Sequence, residues 1–328
     1  MNAPHVEDID LDSLPPGLHR QWLSIVHDGL GRQVRLPLLI AKGVEPGPVC
    51  GITAAVHGNE INGISVIQKL LHTIDTNRLR GVVLGVPVVN IGGFLLRQRR
   101  TDDGLDLNHL FPGKAHGREG DVLAWRFTEK VLKRCDLLLD LHTASFGRVN
   151  CLYVRADMTH PETARIAYLQ RPHIIVHNPA ADGTLRGAAA ALGIPAVTVE
   201  IGNAHRFQKE YAKRSRTGIR AVLSAWNMLP KRSIKLGDPP VLCSRSAWMY
   251  TDHGGLLQVL PKVTERVERG EPVAHLRSIF GDLSREYTAP EEGIVIGHSV
   301  DPVADTGARI LHLGVVAHEF DPLILRED

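Results

Sequence analysis

Four side chains, spread widely along the chain, have the types and settings to do chemistry. His57 and Glu60 stand in the stretch AAVHGNEINGISVI, and His142 closes the apolar run LLLDLHT two residues after Asp140. Glu200 lies inside PAVTVEIGNAH. An H-x-x-E pair across a strand-to-helix turn lets an imidazole nitrogen and a carboxylate converge on one point, and the small Gly58 keeps that turn tight. By itself the pair reads as readily as a turn histidine plus a glutamate favoured by a helix N-terminus. His142 changes the balance. Alternation along a strand puts Asp140 and His142 on one face, and open parallel sheets gather ligands at the carboxyl ends of their strands. Two histidines, one carboxylate and an open fourth position make the usual catalytic zinc set. Glu200, in a β-rich apolar run, must be paired or used, because an unpaired buried carboxylate is costly. A structural salt bridge is the alternative there. A fourth stretch, RQRRTDDGLDLNHLFPGK, carries Arg97, Arg99 and Arg100 ahead of Asp106, Asn108 and His109. It reads either as a solvated basic loop or as the source of an arginine that steadies a developing oxyanion.

Positioning these groups requires a scaffold, and the apolar pattern describes one. Runs 34–41, 49–56 and 82–89 are short, rich in Val and Ile, and bounded by Gly or Pro, as strands are. Between the last two, Ile61, Ile64, Ile67, Leu70 and Leu71 recur at helical spacing over 60–74. A helix over 122–132 leads into the apolar run 137–141. Helices over 161–169 and 185–192 precede strands 174–176 and 196–201. A long helix over 206–228 shows Ile219, Val222, Leu223 and Trp226 on one face. This alternation predicts an α/β fold, a mostly parallel mixed sheet with helices on both faces. From about Leu236 onward Gly and Pro separate short alternating runs (256–260, 273–276, 293–297, 309–316), the pattern of a small all-β domain. The LGDPP stretch at 236–240 is the natural linker, dividing the chain into 1–238 and 239–328.

Composition narrows the function. The 328 residues are 43% hydrophobic and 23% charged, and 38 basic against 36 acidic side chains leave +2. No basic field argues for nucleic acid. Apolar runs are strand-sized, short of the roughly 20 residues of a membrane span. The N-terminal stretch is acidic and proline-broken, unlike a signal or transit peptide. Four dispersed cysteines without CxxC spacing read as reduced, mostly buried thiols of a cytoplasmic protein. HExxH, G-x-S-x-G and Walker motifs are absent from the sequence. Of the other histidines, only His205, five residues after Glu200, is a candidate for a pocket wall; the rest read as surface or packing residues.

HGNE, then DLNxxFPG, DLHT and TVEIG, in this order and spacing, resemble the succinylglutamate desuccinylase/aspartoacylase family of the zinc carboxypeptidase clan. The resemblance covers most of the chain, including APEEGIV near its end. It implies a zinc-carboxypeptidase-like fold and one Zn2+ per chain held by His57, Glu60 and His142. It further implies Glu200 as general base, Arg99 or Arg100 as the carbonyl-polarising arginine, and Asn108 as a substrate contact. The implied activity is that of an amidohydrolase, a deacylase acting on a small N-acylated amino acid or amine, with homo-oligomerisation left open. One departure stands out. The family's Asn-Arg pair is Asn108-His109 here, and a histidine is no permanently charged, bidentate carboxylate fork. Either another arginine (Arg97, Arg155, Arg186 or Arg206) compensates, or the substrate lacks a carboxylate at that position. Asp140 reads as the partner of His142's second nitrogen or as a structural carboxylate. Two rival readings are a carboxypeptidase with a more open cleft and a non-catalytic binding protein on the same scaffold. By family similarity the C-terminal β domain narrows the entrance and favours small substrates.

Overall fold

The computed structural model describes residues 3–231 and 238–317. Among them, one fourteen-stranded mixed sheet and one four-stranded sheet carry the fold. The heart of the large sheet is a parallel set in the order Arg80–Val86, Glu45–Ala54, Leu137–His142, Ala196–Ile201. Parallel neighbours need crossover connections, and helices α1 (Asn62–Leu71), α2 (Ile91–Leu95), α3 (Glu119–Lys130), α4 (Pro161–Leu169), α5 (Leu185–Ala191) and α6 (Lys209–Ala225) lie along those crossovers or cap the sheet.

Strand alternation sorts the core into two layers. Leu137, Leu139 and Leu141 face one side with Ile64, Ile67 and Leu70 of α1, Ile166 of α4, and Ile219 and Val222 of α6. Leu138, on the opposite side, packs with Leu123 and Phe127 of α3 and Leu185 of α5. Asp140 and His142 share the parity of Leu138, so both emerge on the α3/α5 side. Helices therefore cover both faces, as the sequence pattern predicts.

Boundaries differ in ways that matter. The strand expected over 49–56 ends at Ala54, since Ala55 adopts a left-handed φ of 50° and turns the chain off the sheet. The helix expected from residue 60 begins at Asn62. The sequence pattern offers no strand before residue 34, yet Gly17–His27 pairs antiparallel with Gln33–Lys42 as a long hairpin. Leu152–Ala156 likewise runs antiparallel to Ala196–Ile201.

After residue 238 the chain continues the large sheet. Val241–Tyr250 pairs in parallel with Ile174–His177 and antiparallel with Arg309–Val316, which in turn pairs with Gly293–Ser299. The short strand Arg148–Asn150 joins that last strand. The four-stranded sheet contributes Leu257, Val273 and Leu276 to a core shared with Val295, Leu311 and Leu313 of the large sheet. Leu236 and Gly237 of the expected linker, and His318, lie outside the described residues. All four cysteines are free and buried. No helix among the described residues is long and apolar enough to cross a membrane.

Candidate active site

Thr53 lies opposite Asp140 in the parallel pair of strands that ends at Ala54 and His142, so their carboxyl ends sit side by side. The turn after Ala54 carries His57 inward. Gly58 is required there by close approach: a Cβ would stand 2.0 Å from the carbonyl carbon of Gly93 in α2. Asn90 secures the junction, donating to the Val56 carbonyl at 3.3 Å and accepting from the Gly93 amide at 2.9 Å. Buried Asn62 at the start of α1 donates to the Ile201 carbonyl at 2.7 Å and accepts from the Gln208 amide at 2.8 Å. It thereby fixes Glu60 against the end of the strand that bears Glu200.

The three predicted ligands converge. His57 Nδ1 is 3.0 Å from Glu60 Oε1, His142 Nδ1 is 3.0 Å from Glu60 Oε2, and the two Nδ1 atoms are 3.1 Å apart. All three residues are buried. Each imidazole turns its other nitrogen to a carboxylate: His57 Nε2 to Asp106 Oδ1 at 3.1 Å, and His142 Nε2 to Asp140 Oδ2 at 2.8 Å. An ionised carboxylate only accepts, so each Nε2 carries a proton and donates it. Each Nδ1 then points toward the other and toward Glu60, and offers its lone pair to a metal once any proton on it is displaced. Ring nitrogens and carboxylate oxygens at such separations need positive charge among them, a proton or a metal ion, and these ligand atoms form a group that could hold a metal ion. A two-histidine, one-carboxylate set of this kind fits a catalytic metal with an open position.

The surrounding groups hold the cluster. Asp106 also accepts from Arg99 Nε at 2.9 Å and from the Asn108 amide at 3.1 Å. Asp140 accepts from Thr53 Oγ1 at 2.7 Å. Glu60 accepts from the Thr143 amide, Ser145 Oγ and Arg99 Nη1 at 3.0, 3.1 and 3.1 Å. Burial alone would raise the pKa of Glu60, but His57 and His142 pull it well below the ordinary range. Burial likewise opposes ionisation of Asp106, yet His57 and Arg99 depress its carboxyl strongly. His142 moves the other way: burial disfavours its charge, while Asp140 and Glu60 hold its pKa well above 6.5.

Glu200 pairs in register with His142 on the neighbouring strand. Its Oε1 lies 3.7 Å from Arg155 Nε, and its buried Oε2 has no hydrogen-bond partner among the described residues. Burial raises its pKa, Arg155 opposes the rise and Glu60 adds to it. An unsatisfied buried carboxylate oxygen of this kind is chemically able to take up a proton.

A cavity of about 530 Å³ joins the cluster, Glu200, Arg99, Asn108 and His109. Arg99, one of the two loop arginines considered, enters the cluster. Arg100 instead donates to the Gly104 carbonyl at 2.8 Å and does not line the cavity. Arg97 is exposed, with a left-handed φ of 57°, and also stands outside the cavity wall. Asn108 Oδ1 accepts from the Leu185 amide at 2.9 Å. The His109 side chain is 70% exposed, 3.9 Å from Asp106. Arg155 and Arg186 line the cavity, whereas His205 and Arg206 line a neighbouring groove beside Phe146. Sequence reasoning missed the tie from Asp106 to His57, and missed Arg148, Trp248 and Arg309 in the cavity wall.

Comparison with known proteins bears on the family and the fold. Residues 46–226, more than half of the chain, match the family model of the succinylglutamate desuccinylase/aspartoacylase catalytic domain. The N-alpha-acetyl-L-2,4-diaminobutyric acid deacetylase of Halomonas elongata is 24% identical over 302 residues, spanning 88% of this chain and 87% of the relative. The product-bound ectoine utilization protein EutE (DoeB) of Ruegeria pomeroyi superposes with a TM-score of 0.85 at 22% identity, covering 94% of this chain and 97% of that one. A succinylglutamate desuccinylase from a Silicibacter species gives 0.84 at 22% identity, with the same coverage. With its fold, its motifs and the matched catalytic region in agreement, this chain belongs to the succinylglutamate desuccinylase/aspartoacylase family.

Proposed function

We propose that the chain is a zinc-dependent deacylase that hydrolyses the amide of a small N-acylated amino acid. The observation that carries this reading is the convergence of two imidazole Nδ1 atoms and Glu60 in one cavity with the unpartnered carboxylate oxygen of Glu200. His57, Glu60 and His142 would hold the zinc ion, which supplies Lewis-acid polarisation of the amide carbonyl and acidifies the attacking water.

The remaining roles belong to the chain. Glu200 accepts the proton of the attacking water and passes it to the leaving nitrogen, the two halves of general acid–base catalysis. Water's oxygen joins the acyl carbon as the C–N bond breaks, so the products are a carboxylate and a free amine. Arg99 is oriented by Asp106 and Ser145, and its Nη2 has no protein acceptor among the described residues. We assign that nitrogen to the carbonyl oxygen, where negative charge develops. Asp106 and Asp140 keep both imidazoles in the ligating tautomer. Trp248 and Arg309, from the region after residue 238, close part of the cavity, which favours a small substrate over a peptide. The deacetylase activity named for the Halomonas relative supports the same reaction class.

The test is amine release from a panel of N-acetyl, N-succinyl and longer N-acyl amino acids by the zinc-loaded protein, with the Glu200→Gln variant as the blank. Release above the blank is expected. Full silence of zinc-loaded protein across the panel would remove the reading.

A further inference from the structure

The cavity holds five arginines (Arg99, Arg148, Arg155, Arg186, Arg309) against three carboxylates (Glu60, Asp106, Glu200). Three of the five are accounted for. Arg99 pairs with Glu60 and Asp106. Arg155 lies beside Glu200 and donates to the Tyr153 hydroxyl at 2.8 Å. Arg186 is tethered through both terminal nitrogens to Asn178, at 2.7 and 2.6 Å. The guanidinium groups of Arg148 and Arg309 have neither a carboxylate nor a hydrogen-bond acceptor among the described residues.

These two lie over the same ring. Their guanidinium carbons stand 5.7 and 5.3 Å from the Trp248 ring centroid. Trp248 is itself fixed, stacked on its cross-strand partner His312 with centroids 4.9 Å apart and planes at 10°. His312 in turn bonds Ser246 Oγ at 2.9 Å. The ring attracts each cation, but the cations repel each other, and Arg148 is made easier to deprotonate first by burial and then by Arg309. An anion between the two forks would relieve both penalties, since guanidinium groups match carboxylates in bidentate geometry. Arg148 also feels the charges of Glu60 and Glu200, so this wall and the reaction centre share one electrostatic environment. His109, mostly exposed at the rim, offers no comparable fork.

We propose that Arg148 and Arg309, laid on Trp248, read the carboxylate of the substrate, so that the enzyme takes N-acyl amino acids as free acids. The inference rests on the deacylase reading and names the residues that select its substrate class. Among the described residues the strand of Arg148 pairs only with Gly293–Ser299, and Arg309 opens the strand Arg309–Val316, so the region after residue 238 supplies one arginine of this subsite and holds the other.

The test compares N-acetyl-L-alanine with N-acetyl-L-alaninamide. Calorimetric binding is measured on zinc-loaded Glu200→Gln protein, alone and combined with Arg148→Met, Arg309→Met or Arg309→Lys; kinetics are measured with Glu200 intact. Thermal melts confirm folding, and the lysine variant keeps the charge while losing the fork. The free acid is expected to bind at least ~10-fold tighter than the amide, and each methionine change to remove about 10-fold from the acid alone. Arg309→Lys is expected to recover part of that loss. Folded methionine variants that bind the acid as well as their parent overturn the proposal. Equal turnover of acid and amide by the unaltered protein also overturns it, while leaving the deacylase reading intact. Arginine-dependent acid binding with no amine release from any member of the N-acyl panel supports the subsite and removes the deacylase reading instead.

Discussion

Replacing Glu200 by glutamine separates chemistry from folding and from metal binding. The side chains are nearly isosteric, and the structure shows little that the change would break. Oε2 has no partner, and Oε1 is 3.7 Å from Arg155, beyond hydrogen-bond reach, while Arg155 keeps its bond to Tyr153. A carboxyl whose pKa is raised by folding is costly to ionise in the folded chain, so above that pKa the neutral amide does not lower stability. The midpoint of thermal unfolding near pH 7 should therefore hold or rise. Zinc content should also be unchanged, because His57, Glu60 and His142 keep every contact described for them. Turnover should collapse. General acid–base catalysis contributes about 10²–10⁴-fold, roughly 2.7–5.4 kcal/mol of barrier. The assay is kcat for amine release with zinc measured on the same sample. A Glu200→Gln protein that folds, holds one zinc and retains kcat within about threefold of the parent would refute the assignment of Glu200 as base.

Three further outcomes follow from the same contacts. Asp140→Ala strands two buried donors, His142 Nε2–H and Thr53 Oγ1–H, at roughly 1–3 kcal/mol each. It should lower zinc affinity by about 10–100-fold, read by competition with a chelating dye; unchanged affinity contradicts the role given to Asp140. In metal-free protein the raised pKa of His142 stabilises the fold below 6.5, and that stability is lost as pH rises through the folded value. The depressed pKa of Glu60 stabilises it above 4.5, and that part is lost as pH falls. Zinc must then displace a proton from His142 near neutral pH, so the calorimetric heat of zinc binding should vary with the ionisation enthalpy of the buffer; a buffer-independent heat argues against this. Gly58→Ala drives a methyl against the backbone of Gly93 and Phe94, and should cost about 1–3 kcal/mol in denaturant unfolding. An unshifted midpoint would mean that the turn at His57 is looser than described.

Much of the site was legible because its residues lie at the ends of apolar runs. His142 closes a strand whose parity also exposes Asp140, and the carboxyl-end rule for parallel sheets joins it to His57. Glu200 stood out as a carboxylate embedded in an apolar strand. What escaped depends on contacts between distant segments. Asp106 sits in a loop rich in Asp, and nothing local distinguishes the one that reaches His57; its position just before a short turn, where it caps the Asn108 amide, was the available signal. Arg148, Trp248 and Arg309 meet through strand pairings between distant segments, Arg148 opposite Ser299 and Trp248 opposite His312. Gly17–His27 was hidden because its early residues alternate with polar side chains on a half-exposed strand, and only its last part is continuously buried. Arg97, Arg99 and Arg100 are indistinguishable by type; the loop that turns left-handed at Arg97 decides which of them reaches Glu60.

The central claim is that a single zinc ion held by His57, Glu60 and His142 makes this chain a deacylase. The most direct measurement titrates zinc into metal-stripped protein while following amine release from the N-acyl amino acid it turns over best. Activity should rise linearly from a negligible start and break at one zinc per chain, and His142→Ala should abolish both tight zinc binding and the rise. Hydrolysis by the stripped protein, or an activity that climbs without reference to that stoichiometry and survives His142→Ala, would contradict the account.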